Sequence, residues 1–146
     1  MSRKRGGGKH VGRRTHADLH SGISTLDEDD ALELVEKLGD DAFLLILDQV
    51  QDPRNLGACL RSAECAGVDL IAIPSGRSVG ITEVVRHVAA GAAESLPIAR
   101  VRNLSRFLRA LTELGIRSVG TSDQAGLRLI DGGLLKFDSK TSCCFS

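Results

Sequence analysis

The chain has 146 residues, 42% hydrophobic and 26% charged, which suffices for one domain with a real core but hardly for two. Nineteen basic and nineteen acidic residues cancel, which argues against a uniformly basic nucleic-acid binder, yet the charges are segregated along the chain. No apolar run is long enough to cross a bilayer and no signal segment with a hydrophobic centre is present, so the expectation is a cytoplasmic protein with no membrane partner.

Residues 1–24 are rich in Arg, Lys, Gly, Ser and His, show no apolar periodicity, and read as a basic flexible arm. A plain disordered arm fits this composition, and so does a non-specific hold on RNA phosphates through Arg3, Lys4, Arg5, Lys9, Arg13 and Arg14. An acidic helix is expected over Asp27–Leu38, with acids in its first turn and Leu32, Val35 and Leu38 on its apolar face; Gly39–Ala42 then forms a linker, so that residues 25–41 make one acidic segment. Phe43–Leu47 is a continuous apolar run, the pattern of a strand covered on both faces. Asp48 and Asp52-Pro53 end it, and a helix from Asp52 or Asn55 runs to Ala66, with Leu56, Cys59, Leu60, Ala63 and Ala66 as its apolar stripe and Gly67 at its left-handed end. Val68–Ile73, stopped by Pro74, reads as a second strand, followed by a polar loop over Ser75–Gly80 and a helix over Ile81–Ala90. Leu96–Val101 reads as a third strand, Asn103 caps a helix to Leu114 with Leu104, Phe107, Leu108 and Leu111 inward, and Ile116–Gly120 reads as a fourth strand. Alternating strands and helices predict an α/β fold, a parallel sheet with helices on both faces.

Few residues are required by this chemistry-free pattern to be polar, and those that are not define the candidate site. Arg61 lies off the apolar stripe of its helix; a solvated surface arginine and a functional one both fit that position. Asn55 suits a helix N-cap, Arg54 suits a phosphate contact or solvent, and Arg77 and Arg86 suit an RNA path or plain surface. His87 shares a helix with Val84, Val88 and Ala89 and reads as packed or half-exposed rather than as a general base. The four cysteines lack metal-site spacing, because Cys59 and Cys65 fall on different helix faces and Cys143-Cys144 are adjacent, so free thiols and no metal are expected.

The segment DPRNLGACLRSAECAG resembles the first signature motif of the SpoU/TrmH family of RNA ribose 2′-O-methyltransferases: Asn55, five residues, Arg61, one residue, Ala63. The flanking LLILDQV and VVRHVAAGAAESLPIARV agree, and the likeness runs from about Asp40 to Leu135, closest to the branch that methylates a guanosine ribose in large-subunit ribosomal RNA. The resemblance implies S-adenosylmethionine as methyl donor, ribosomal RNA as partner and a homodimer. It assigns the catalytic role to Arg61, assisted by Asn55, with Arg54, Arg77 and Arg86 along the RNA. An arginine stays protonated, so its work is electrostatic: holding a phosphate and stabilising a forming alkoxide. Leu19–Ile23 resembles the end of the small RNA-binding domain that precedes the catalytic domain in this branch.

Beyond residue 135 the reading departs from the family. The Gly-x-Glu-x-x-Gly turn and the Asn- and Ser-bearing helix that build the family's deep trefoil knot, most of its donor pocket and much of its dimer interface do not occur, and residues 136–146 read as a non-family tail. The expectation is an incomplete SPOUT α/β-knot fold, 42–135 being the first part of the methyltransferase domain, truncated or frame-shifted, lacking a central strand and inactive, with no donor-binding residues to name. A non-enzymatic RNA-binding module and a partner-binding fragment are the competing expectations.

Overall fold

Parallel strands require a crossover between each pair, and the sequence supplies a helix for nearly every crossover. The computed structural model describes residues 25–121 and the backbone of residues 141–145. In chain order these give α1 (Glu28–Leu38), a 3-10 turn (Gly39–Asp41), β1 (Phe43–Leu47), α2 (Pro53–Ala66), β2 (Leu70–Pro74), α3 (Glu83–Ala89), α4 (Ala92–Ser95), β3 (Ile98–Val101), α5 (Leu104–Glu113), β4 (Arg117–Thr121) and β5 (Thr141–Phe145). The five strands form one sheet in the order β3-β2-β1-β5-β4, parallel throughout.

Each strand's alternation divides the core between two faces. Leu45, Leu47, Ile71, Ile73 and Ile98 pack with Leu56, Leu60 and Ala63 of α2, Val85 and Ala89 of α3, and Ala92 and Ala93 of α4. Leu44, Ile46, Leu70, Ala72, Ala99 and Val101 pack on the other side with Ala31 and Val35 of α1 and Phe107 and Leu111 of α5. The expected α/β architecture is therefore present, with helices on both faces.

Local signals shift several boundaries. α2 starts earlier than Asn55 because Asp52 is its N-cap, accepting from the Arg54 amide at 2.8 Å, with Pro53 at the first helical position. Thr82 caps α3, accepting from the Val85 amide at 3.4 Å, so the helix opens at Glu83 rather than Ile81. It closes at Ala89 with Ala90 in a left-handed conformation (φ 52°). Pro97 has no amide to donate, and β3 opens one residue after it. Gly67 ends α2 with φ 74°, as the sequence predicts. The apolar stripe of α2 differs in two places: Ala66 is exposed, and Gly57 is buried. A Cβ on Gly57 would stand 2.7 Å from Val88 Cβ, so only glycine lets α2 and α3 approach this closely.

The main correction concerns the carboxyl end. Residues 141–145 are not a tail outside the sheet: β5 lies between β1 and β4, pairing Leu45 with Cys143 on one side and Val119 with Cys143 on the other. The central strand expected to be missing is filled by Thr141–Phe145, a stretch without the aliphatic run of a typical buried parallel strand, which is why its pattern gave no strand signal. The outer edge of β3 is likewise covered rather than open, because Leu26 donates to Ile98 O at 2.8 Å and accepts from the Arg100 amide at 3.0 Å. The basic arm and residues 122–140 lie outside the described residues.

Candidate nucleic-acid interface

Helix α2 leaves the carboxyl edge of the sheet and buries Leu56, Gly57, Leu60 and Ala63. Its outer face carries Arg54, Ala58, Arg61 and Cys65, all exposed and spaced to fall on one stripe. Neither Arg54 nor Arg61 has a side-chain hydrogen bond or ion pair among the described residues, so two guanidiniums stand free on one ridge. Asn55 is also exposed and unpaired at its side chain. It does not cap the helix, because Asp52 does. It stands six positions before Arg61, which turns the two side chains about 120° apart on the helix and prevents contact between them.

Arg86 is placed differently. Its Nε donates to Glu94 Oε1 at 2.8 Å and its Nη1 to Glu83 Oε1 at 3.2 Å, clamping α3 to α4. The bond to Glu94, helped by the neighbouring negative charges of Glu83 and Glu94, raises its pKa in spite of desolvation. Two carboxylates thus neutralise the cation that the sequence offered for RNA. His87 is exposed, one residue further along α3.

Arg77 belongs to a second locus that sequence reasoning did not assemble. At the carboxyl ends of β1, β2 and β3, on the side of α5, Asp48, Pro74, Gly76, Arg77, Arg102, Asn103, Leu104, Ser105 and Leu108 line a cleft of about 620 Å³. Such a crevice outside the carboxyl ends of parallel strands is where open α/β sheets hold ligands. Arg77 Nη1 is 4.0 Å from Asp48 Oδ2, with Asp48 only 14% exposed. Asp48 Oδ1 is buried without a hydrogen-bond partner among the described residues. The one available signal was strand alternation: residues 44 and 46 face α5, so residue 48 does too.

The floor of that cleft is held by Glu28. Its carboxylate accepts from the Arg102 and Asn103 amides, the latter at 3.2 Å, and pairs with Arg106. Burial alone would push this carboxyl up, but the Arg106 guanidinium and the two amides outweigh it and hold its pKa below the ordinary value of 4.5. Asn103 caps α5 by accepting from the Arg106 amide at 3.0 Å, as its sequence position predicts.

With two guanidiniums against one carboxylate, the cleft is net cationic. That sign suits an anion and opposes a sulfonium donor, so the described lining does not fit S-adenosylmethionine and none of these residues is assigned to it. Among the described residues no group of His, Cys, Asp and Glu is arranged to hold a metal ion, and no helix is long and apolar enough to cross a membrane. Cys59 and Cys65 are free thiols, the first raised in pKa by burial.

The sequence pattern of the SpoU rRNA Methylase family matches residues 42–144, extending into β5 and past the limit of 135 that the motif reading set. The chain is 45% identical over 133 residues to the 23S rRNA (guanosine-2′-O-)-methyltransferase RlmB of Shewanella oneidensis, covering 86% of this chain and 54% of that protein. It is 52% identical over 103 residues to the same-named enzyme of Coxiella burnetii, covering 70% of this chain and 41% of that protein. The chain thus spans about half the length of the curated relatives it matches. Among solved structures, the AdoMet-bound rRNA methyltransferase from Sinorhizobium meliloti superposes with a TM-score of 0.60 at 26% identity, over 71% of this chain and 38% of that one. A second structure of an rRNA methyltransferase from that organism gives 0.66 at 23% identity, over 84% and 44%, a likeness of fold.

Proposed function

The chain belongs to the SpoU rRNA methylase family, and on that premise we propose that the protein is an S-adenosylmethionine-dependent ribosomal RNA ribose 2′-O-methyltransferase in which α2 presents Arg61 to the RNA. The observation that carries this reading is Arg61 itself: exposed, without a partner among the described residues, and in register with Asn55 and Ala63. A guanidinium so placed clamps a backbone phosphate in a two-pronged hydrogen bond and stabilises negative charge growing on the neighbouring 2′-oxygen as its proton leaves. It does so without changing its own protonation state. Arg54, one stripe position away, extends the same phosphate track. Asn55, turned away from Arg61, orients the RNA directly rather than through the arginine. Arg77 adds a cation at the cleft, whereas Arg86 serves as the clamp between α3 and α4.

The expectation of an inactive copy drew on a missing central strand and on missing donor-pocket motifs; β5 occupies the strand's position, which removes the first ground only. The domain reading kept here is a basic arm over residues 1–24 acting on phosphates, an acidic helical segment over 25–41, and a methyltransferase domain from residue 42. A homodimer is the assembly the resemblance implies, and sedimentation equilibrium of the purified protein tests it.

The reaction is tested by incorporation of a labelled methyl group from S-adenosylmethionine into ribosomal RNA, with the ribose position mapped by resistance to alkaline hydrolysis. Methylated 2′-oxygens that vanish in Arg61→Ala support the reading. Salt-sensitive RNA binding with no transfer would assign the chain instead to a non-enzymatic RNA-binding module, and absence of both to a partner-binding fragment.

A further inference from the structure

We propose that the carboxyl edge of the sheet is a phosphate rim, along which a single-stranded RNA passes from Arg61 and Arg54 on α2, past Arg77, to Arg102 and Arg109 on the α5 side. The proposal rests on the reading of the protein as one that handles RNA. It goes further by giving the nucleic acid a path across three strand ends and by adding two contact residues, Arg102 and Arg109, that the family motif does not mark.

Topology makes the rim. Strands β3, β2 and β1 are neighbours in that order, and the segment following each of their carboxyl ends carries an exposed arginine: Arg102 after β3, Arg77 after β2 and Arg54 after β1. Register keeps two of those ends level, because Pro74 pairs with Val101 and the Ser75 amide donates to Val101 O at 2.8 Å. Neighbouring strands lie about 4.8 Å apart, so three strand ends span about 10 Å. A stacked nucleic-acid strand rising about 3.4 Å per nucleotide covers that distance in about three nucleotides. Arg109 stands four positions after Ser105 of the cleft wall and continues its stripe along α5.

The cations of the rim are available to a ligand. Arg54, Arg102 and Arg109 have no side-chain partner among the described residues. Arg77, 69% exposed, meets Asp48 only at 4.0 Å. The other nearby acids are engaged, Asp52 as the cap of α2 and Glu28 with Arg106 and two amides. Helices α2 and α5 both begin at this edge, so the positive ends of their dipoles add to the same sign. The opposite edge carries the opposite sign. Asp40 and Asp41 precede β1, Asp69 precedes β2 and Glu113 precedes β4, against Arg117 and a Lys37 already paired with Glu33. The zero net charge of the chain thus conceals a field directed along the strands, which turns the carboxyl edge toward a polyanion before contact.

The test is fluorescence anisotropy of a labelled oligouridylate of about twelve nucleotides, long enough at the same rise to cover rim and ridge, titrated with the full chain over a series of salt concentrations. Arg102→Ala, Arg77→Ala and Arg109→Ala should each flatten the dependence of log affinity on log salt by about 0.7, and the triple variant by about 2. Arg117→Ala, at the amino edge, should leave the slope unchanged. Unchanged slopes in the three rim variants, or an equal flattening in Arg117→Ala, would overturn the rim. Arg61→Ala separates the two readings. A slope that only Arg61→Ala flattens removes the rim and leaves the proposed function standing, whereas no RNA binding by the unaltered chain removes both. If Arg102→Ala does not fold, Arg77→Ala and Arg109→Ala decide the matter, since each removes an exposed guanidinium from a different segment.

Discussion

Arg61 and Glu28 are opposite uses of a charged side chain, and substitution should separate them. Arg61 has no side-chain hydrogen bond or ion pair among the described residues, so Arg61→Ala is expected to lower methyl transfer by about 100-fold or more, the scale of losing one charge-stabilising donor, with an unchanged melting temperature. Arg61→Lys should restore little, because a point charge cannot form the two-pronged bond. In filter binding to single-stranded RNA, removing Arg61 should flatten the dependence of log affinity on log salt by about 0.7. Glu28, by contrast, satisfies two amides and an arginine beneath the cleft. Glu28→Ala should cost about 1–3 kcal/mol by leaving those amides without an acceptor. The pH dependence follows from the sign of its shift: the folded pKa lies below the unfolded one. Its stabilisation is therefore fully present above the ordinary carboxylate pKa of 4.5, and it is lost as pH falls through that value toward the folded one. Urea unfolding at pH 7 and pH 3.5 should show a larger loss in the parent chain than in Glu28→Gln, after allowing for the other carboxylates common to both.

Among the elements, α2 shows how much of a helix is legible from its own sequence and where legibility ends. Apolar spacing identified Leu56, Leu60 and Ala63 as the buried face, and the glycine at 67 identified the end, because both effects act within a turn or two of chain. The burial of Gly57 could not be read that way: its reason is Val88, on α3, which meets α2 only after the chain has passed through β2. Gly57→Ala should destabilise the protein by about 1–3 kcal/mol through overpacking, measured as a shift of the urea midpoint at constant m-value. An alanine tolerated there without loss would show that α3 can retreat from α2. The capping of α2 was misassigned to Asn55 for a related reason. Asn and Asp are near-equal caps in isolation, and the adjacent Asp52-Pro53 pair, with proline pre-set at the first helical position, won locally.

For the whole molecule, the consequential feature is β5. It has paired neighbours on both sides, so every one of its amides is needed in the ladder. Cys143→Pro should therefore destabilise the sheet by about 3 kcal/mol or more, seen as loss of amide-exchange protection in β1 and β4 while α1 and α5 are affected less. If protection in β1 and β4 is unchanged, the central placement of Thr141–Phe145 is wrong. The sheet also separates two cationic loci. The ridge of α2 lies on one face of the sheet, and the cleft of Asp48, Arg77 and Arg102 on the other side of the carboxyl edge.

The sequence alone determined the alternation of strands and helices, the buried faces of most elements, the family motif around Arg61 and the cap at Asn103, because each depends on spacing or chemistry within a few residues. Tertiary structure alone decided that Thr141–Phe145 is a central strand, since its backbone pairs with β1 and β4 whether or not its side chains alternate in hydrophobicity. It also decided that Arg86 is neutralised by Glu94 and Glu83 while Arg61 stays free, and that Asp48, Arg77 and Arg102 converge from three different strand ends. Those outcomes rest on contacts between segments far apart in the chain, where no periodicity reaches and only the geometry of the closed sheet brings the groups together.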